Sequence, residues 1–295
     1  MPSELYFHSN LWGADKLSEK SACLTWSNTQ AIQELVNMRI GRLLNIKKRR
    51  SGGTAYTSAT QHTWDKVFPP TILNKVEENE SSFDYVLRHT FYTPRNTLNA
   101  CDIILSDFEK NNITQLDFSN NILFVSSIFR LSIEKFTRIA VKDFLDLFGK
   151  IYENLDDVLH LFSSKPSIWS NEVLLNYLHS HKASLKRRDT NDVYQGVSLI
   201  ETLQRIGFLG LGTRSLKSVV PIGTERYDLH FSFIEDYPYR GGWDVAVIAP
   251  VFYSSYDIRK VEKRIIQPHN QLLLFNRAIH SITSYDPYSN GVLPR

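Results

Sequence analysis

Along most of the chain, apolar residues recur at spacings of three and four, and a two-residue alternation appears only late. Ser27-Asn28-Thr29-Gln30 reads as a capping box, with the serine hydroxyl meeting a backbone N–H while the glutamine reaches back. Ile32, Leu35, Val36, Ile40, Leu43 and Leu44 follow on one helical face, and that helix runs into a basic linker ending Ser51-Gly52-Gly53. A short segment around Trp64, Val67 and Phe68 is stopped by Pro69-Pro70. Phe83, Val86, Leu87 and Phe91 form another short face. At Thr93-Pro94-Arg95 a helix starts, because threonine suits the N-cap and proline the first helical position. It carries Leu98, Cys101, Ile104, Leu105 and Phe108 inward. The longest helix follows the polar stretch Ser119-Asn120-Asn121. It buries Ile133, Phe136, Ala140, Phe144 and Leu147 and turns Glu134, Arg138, Lys142 and Asp146 outward, as a surface helix of a bundle does.

The pattern changes beyond Ser163-Ser164-Lys165-Pro166, which reads as a domain boundary. Residues 1–25 are irregular, 26–163 form a helical domain, and 164–295 form a second domain. In that domain Asn171–Ser180 is helical. Thr190 is expected to cap a second helix through Val193, Val197, Ile200, Leu203 and Ile206, closed by a left-handed Gly207. Tyr227, Leu229, Phe231 and Phe233 then alternate with polar residues as a strand. Gly241-Gly242 turns the chain into a partner strand over Trp243–Phe252. Two helices and then a hairpin is the order of a winged helix-turn-helix, and Tyr256–Ile266 and His269–Ile282 add terminal helices. The expected fold class is therefore mainly α with a small α+β part: a helical bundle followed by a winged-helix-like domain with a β-hairpin. No internal repeat is visible.

Composition narrows the setting. The chain of 295 residues is 42% hydrophobic, enough for a buried core and against wholesale disorder. Its two cysteines, Cys23 and Cys101, do not write a disulfide framework, and Cys101 falls on an apolar helix face. No apolar run reaches the roughly 20 residues of a membrane span, and Met1-Pro2-Ser3-Glu4 does not begin a signal peptide. These features point to a cytoplasmic protein without a membrane partner. The net charge of +3 is too small to declare a nucleic-acid binder, so local clusters matter more. One is Arg42 with Lys47-Lys48-Arg49-Arg50, which reads as solvated linker surface. The other is Lys182, Lys186, Arg187 and Arg188, placed between the two expected helices of the second domain.

Catalytic signatures do not stand out. The sequence has no G-x-x-x-x-G-K-[ST] loop, G-x-S-x-G elbow, H-E-x-x-H or C-x-x-C pair. Gly207, Gly210 and Gly212 lack the spacing and preceding strand of a dinucleotide fingerprint. His179 and His181 point in different directions at a helix end with no further ligand beside them. Asp143 with Asp146, and Asp156-Asp157, read as solvated helix faces rather than as a nuclease centre. No catalytic residue, metal or cofactor is expected.

Four stretches resemble a known family. They are Trp26-Ser27 leading into Arg39-Ile40-Gly41-Arg42, Phe83–Asn96 with its Thr93-Pro94-Arg95 helix start, Leu203–Gly210, and Val247-Ile248-Ala249-Pro250-Val251-Phe252. Together they resemble the lid and winged-helix region that follows the nucleotide domain in bacterial P-loop ATPases of the STAND/AAA-like kind. Ala249 stands where that family often has histidine. The resemblance implies an ATPase relative without its motor, in which Arg95 is placed like a lid sensor for nucleotide on a partner chain. A guanidinium at a helix N-terminus can fork onto phosphate oxygens. It also implies a regulatory role, as in defence against mobile elements.

Two functions follow as expectations. The first is a non-catalytic interaction module whose partner is a protein, such as a P-loop ATPase. The second is a winged-helix DNA-binding regulator that uses Lys182, Lys186, Arg187 and Arg188 for phosphate contacts. Asp192 and Glu201 on the expected second helix weigh against DNA.

Overall fold

The computed structural model describes residues 29–43, 63–74, 78–214, 224–231, 242–259 and 271–275. The chain divides into two compact units, Ser21–Asp143 and, with residues 1–20, Phe144–Arg295. The expected break near 163 instead lies within the second unit. There Ser164 donates its backbone N–H to Tyr256 and Ser167 donates to Arg259, so the polar stretch is stitched into the unit rather than linking two. The expected irregular segment 1–25, Ser27 with its cap, and Lys47–Gly53 lie outside the described residues.

The helical unit contains α1 (Thr29–Leu43), a two-stranded antiparallel ribbon of β1 (Thr71–Leu73) and β2 (Asn79–Ser81), and α2 (Ser82–Arg88). It continues with α3 (Pro94–Lys110), the short α4 (Asp117–Asn120) and α5 (Ile122–Phe148), whose last turn belongs to the second unit. The cap of α3 forms as the sequence dictates. Thr93 Oγ1 accepts the Asn96 N–H, and Pro94 opens the helix where no N–H is needed. Asn112 closes it in the left-handed region at φ 53°, with Ile113 donating back to Phe108.

Trp64, Phe68 and Phe83 stack in the core of this unit, and the Trp64 indole donates to Ser82 Oγ at 2.8 Å. Beside them lies a buried ion pair between Glu80 and Arg88, with the guanidinium 4.6 Å over the Tyr85 ring. Burial pushes the Tyr85 phenol up to about 12, despite the nearby Arg88 charge. The ribbon is tied to α5 by Leu73 N–H donating to Ser126 Oγ and by Arg130 donating to the Asn74 carbonyl. On the far side of α5, burial alone would raise the Asp107 carboxyl. Hydrogen bonds from Lys135 and Ser132, with the charges of Lys135 and Lys110, outweigh burial and hold it below the usual carboxylate range.

The second unit is mixed α and β. Helix α6 (Leu155–His160) leads to β3 (Ile168–Ser170) and α7 (Asn171–Ser180), then to a hairpin of β4 (Ser184–Lys186) and β5 (Val193–Gln195). Helix α8 (Gly196–Arg205) follows, then β6 (Leu209–Arg214), β7 (Thr224–His230), β8 (Val245–Ile248), a 3-10 turn at Pro250–Phe252 and β9 (Gln271–Phe275). The five-stranded antiparallel sheet runs in the order β3-β8-β6-β7-β9. Its core is aromatic. The Phe162 ring meets Trp169 and Phe208 with centroids 5.9 and 5.2 Å apart, and Phe208 meets Phe252 at 4.9 Å.

Several expectations need correction here. The strands through Tyr227 and Val247 are not hairpin partners, because β6 lies between them and pairs with both. Thr190 does not cap a helix: it sits in the β4–β5 turn, and α8 starts at Gly196, where Ser198 Oγ accepts the Gln195 N–H. Residues 271–275 are a strand rather than part of a helix, and Tyr253–Asp257 form turns. Ile258 and Arg259 are not helical either, since Arg259 bridges to Pro166; residues 260–266, 269–270 and 276–282 lie outside the described residues.

Gly207 does close α8. At φ 88° it ends a Schellman motif in which Phe208 donates to Leu203 and Gly207 to Gln204. Gly210 and Gly212 serve packing. A Cβ at Gly210 would enter the Phe231 ring, and one at Gly212 would come within 2.7 Å of Leu229 and 2.9 Å of Val245.

Candidate interaction surfaces

Arg95 is the second residue of α3 and is exposed. The turn before it is unusual, since Phe91 and Tyr92 both adopt left-handed backbone at φ 51° and 50°. Such conformations cost about 1–3 kcal/mol each and persist where surrounding packing enforces them. Here Tyr92 is buried, and burial drives its phenol well above its ordinary pKa. Thr90 Oγ1 and Thr97 Oγ1 lie 3.1 Å apart and join the turn to the first turn of α3. The helix start that carries Arg95 is therefore fixed from below while the guanidinium faces solvent.

Lys182, Lys186, Arg187 and Arg188 fall at the end of α7 and along the β4–β5 hairpin, which separates α7 from α8. Lys182 occupies the left-handed position that stops α7, at φ 49°, with Ala183 donating back to Leu178. Lys186 Nζ pairs with Glu153 at 3.0 Å, and that hydrogen bond and charge hold the Glu153 carboxyl below its usual range. Arg187 grips Asp189 through two nitrogens, at 2.8 and 3.3 Å. Partial burial opposes the Arg187 charge, but its hydrogen bonds to Asp189 and Tyr194 prevail and raise its pKa. Arg188 donates through Nε to the Gly149 carbonyl at 3.1 Å and is exposed. Lys186 and Arg187 are thus paired within their own unit, while Lys182 and Arg188 are exposed.

Beside them, Val193 and Val197 are exposed, one on the hairpin and one in the first turn of α8. The sequence pattern puts both on the apolar series of one helix, because they continue the spacing of Ile200 and Leu203. The outward residues of α8 are Val197, Ser198 and Glu201, so that face carries an acid and an apolar group. Arg95 and the hairpin belong to different units.

The histidine pair does not converge on a ligand. His179 is exposed, while His181 Nδ1 lies 2.9 Å from the Tyr177 carbonyl and 3.0 Å from Ser180 Oγ. Asp156, read as a solvated residue, is exposed and accepts from Tyr256 at 2.9 Å. Among the described residues no three His, Cys, Asp or Glu side chains gather as a metal site would need. Among the same residues no helix is long and apolar enough to cross a membrane. Cys101 is a buried free thiol, and burial pushes its pKa up, away from thiolate chemistry.

A further surface escaped the sequence reading. Leu123, Phe124, Leu131 and Ile139 of α5 are exposed, along with Leu116 just before it. The signal was present: residues 124, 128 and 131, and then 139, repeat at helical spacing out of phase with the buried set 133, 136 and 140. Comparison with protein families, with curated proteins and with solved structures finds no match to this chain.

Proposed function

We propose that this chain is a non-catalytic interaction module, related to the lid and winged-helix part of STAND-type ATPases, that works by contacting a protein partner. The winged-helix reading is supported by the chain order α6, β3, α7, α8, β6, β8, with β8 lying between β3 and β6. A winged helix likewise follows a helix-turn-helix with a small antiparallel sheet. In this reading the β4–β5 hairpin is an insertion between the two helices, and β7 and β9 extend the sheet at one edge.

One observation favours protein over DNA: Lys186 and Arg187, two of the four cations, are paired with carboxylates within the unit, next to two exposed valines. A phosphate-binding hairpin would have to give up Glu153 and Asp189 before neutralising a backbone charge. In the same reading Arg95, held outward at a fixed helix start, is offered to the phosphates of a nucleotide on a partner P-loop ATPase. Defence against mobile elements is a setting that suits such a split machine.

Titration of a fluorescent DNA duplex with the full chain, across about 50 to 200 mM salt, tests this. The proposal expects weak binding whose salt slope is the same for the wild type and for Lys186→Ala/Arg187→Ala/Arg188→Ala. Tight binding with a slope that the triple substitution flattens would replace it with the DNA-regulator reading.

A further inference from the structure

Helix α5 carries an apolar surface that stays exposed among the described residues. Residues 124, 128, 131, 135, 139 and 142 follow one another at spacings of three and four and so share a face, which Arg138 joins. Leu131 and Ile139 are 49% and 54% exposed on it, while Ile133, Phe136 and Ala140 are buried on the opposite side. A surface helix normally puts polar residues where this one puts phenylalanine, leucine and isoleucine. Single exposed apolar residues mean little, but a row of them along one helix marks a contact surface.

Charge narrows the partner. Between Phe124 and Lys142 the face carries Lys135, Arg138 and Lys142 and no carboxylate, with Glu134 and Asp143 at its margins. Lys135 reaches Asp107 yet keeps a side chain 59% exposed, and Arg138 and Lys142 are exposed. An acidic amphipathic helix complements both features, placing apolar anchors against Phe124, Ile128, Leu131 and Ile139 and carboxylates against the cations. A second copy would bring two sets of cations to one interface. An anionic lipid surface fits less well, because the most exposed apolar residues, Leu116 and Leu123, sit beside Asp117, Asn120 and Asn121 rather than beside cations.

We infer that the α5 face made by Phe124, Ile128, Leu131 and Ile139 with Lys135, Arg138 and Lys142 docks an acidic amphipathic helix of a protein partner. This rests on the contact-module reading and gives the module a surface in its helical unit. The test titrates the full chain into two fluorescent synthetic helices, one of leucine and glutamate and one of leucine and lysine.

Saturable binding of the glutamate peptide is expected, at least about tenfold tighter than the lysine peptide. Leu131→Ser/Ile139→Ser and Arg138→Glu/Lys142→Glu should each weaken it by roughly tenfold or more, with unchanged thermal melting. Lys186→Ala/Arg187→Ala/Arg188→Ala should bind like the wild type. Equal affinity for both peptides, or indifference to the α5 substitutions, overturns the inference. So does sedimentation with phosphatidylserine vesicles, or self-association, that is lost in Leu131→Ser/Ile139→Ser. Failure here without nucleotide turnover or duplex binding would remove this surface and leave the contact-module reading standing.

Discussion

In the helical unit a charged pair, Glu80 with Arg88, is packed inside while Leu123, Phe124, Leu131 and Ile139 stand outside. In the second unit charged pairs lie at the surface, where Val193 and Val197 are exposed as well. Phe162, Trp169, Phe208 and Phe252 fill the interior, and the hairpin cations are tied down at the surface by Glu153, Asp189 and the Gly149 carbonyl. A buried ion pair is weak evidence for stability, because desolvation offsets most of its attraction. Exposed aliphatic groups contribute little to folding. The helical unit thus retains two features that folding alone does not ask for, and such departures are expected where a surface serves another purpose.

The largest effects should separate the two interiors. Phe208→Ala removes a ring that meets Phe162 and Phe252, and should cost about 3–5 kcal/mol in urea unfolding. Arg88→Ala leaves Glu80 buried without its cation and should also cost about 3–5 kcal/mol. The two interiors part on replacement. Glu80→Leu/Arg88→Met should be far milder than Arg88→Ala, and an equally large loss would show that the pair stabilises the unit outright.

A smaller effect tests the sheet. Gly210→Ala drives a methyl into the Phe231 ring and should cost about 1–3 kcal/mol. Asp107→Asn weakens the contacts with Lys135 and Ser132 and should cost about 1–3 kcal/mol near neutral pH. Because the folded carboxyl lies below its unfolded value of about 3.9, its contribution is present above that value. It is lost as pH falls through the lower folded value. The wild type should therefore lose stability over that acid window more steeply than Asp107→Asn.

Lys182→Gly relieves a left-handed lysine and should raise stability by about 1 kcal/mol. The smallest effect is the sharpest contrast: Leu131→Ser should change stability by no more than about 0.5 kcal/mol, despite removing a large aliphatic side chain.

Much of this was legible in the sequence where local chemistry decides structure. Thr93-Pro94 set the start of α3, Asn171–Ser180 gave α7 its full length, and Gly207 stopped α8. The error in strand pairing traces to β6. Its glycines disfavour a strand by propensity, so Leu209–Arg214 is assigned no strand from the sequence, and β7 and β8 pair with each other in that reading. The hairpin was missed because Val193 and Val197 extend the helical phase of α8, and only the tertiary fold exposes them. Both candidate surfaces were hidden for the same reason: periodicity shows which residues share a face, but not which face finds a partner.

The central claim is that this chain acts by contact and not by turnover. The most direct measurement is phosphate release from ATP by the purified full chain, with magnesium present and no other protein added. A rate equal to the buffer blank, unchanged in Arg95→Ala, is the predicted result. Hydrolysis above the blank that disappears in Arg95→Ala would contradict it.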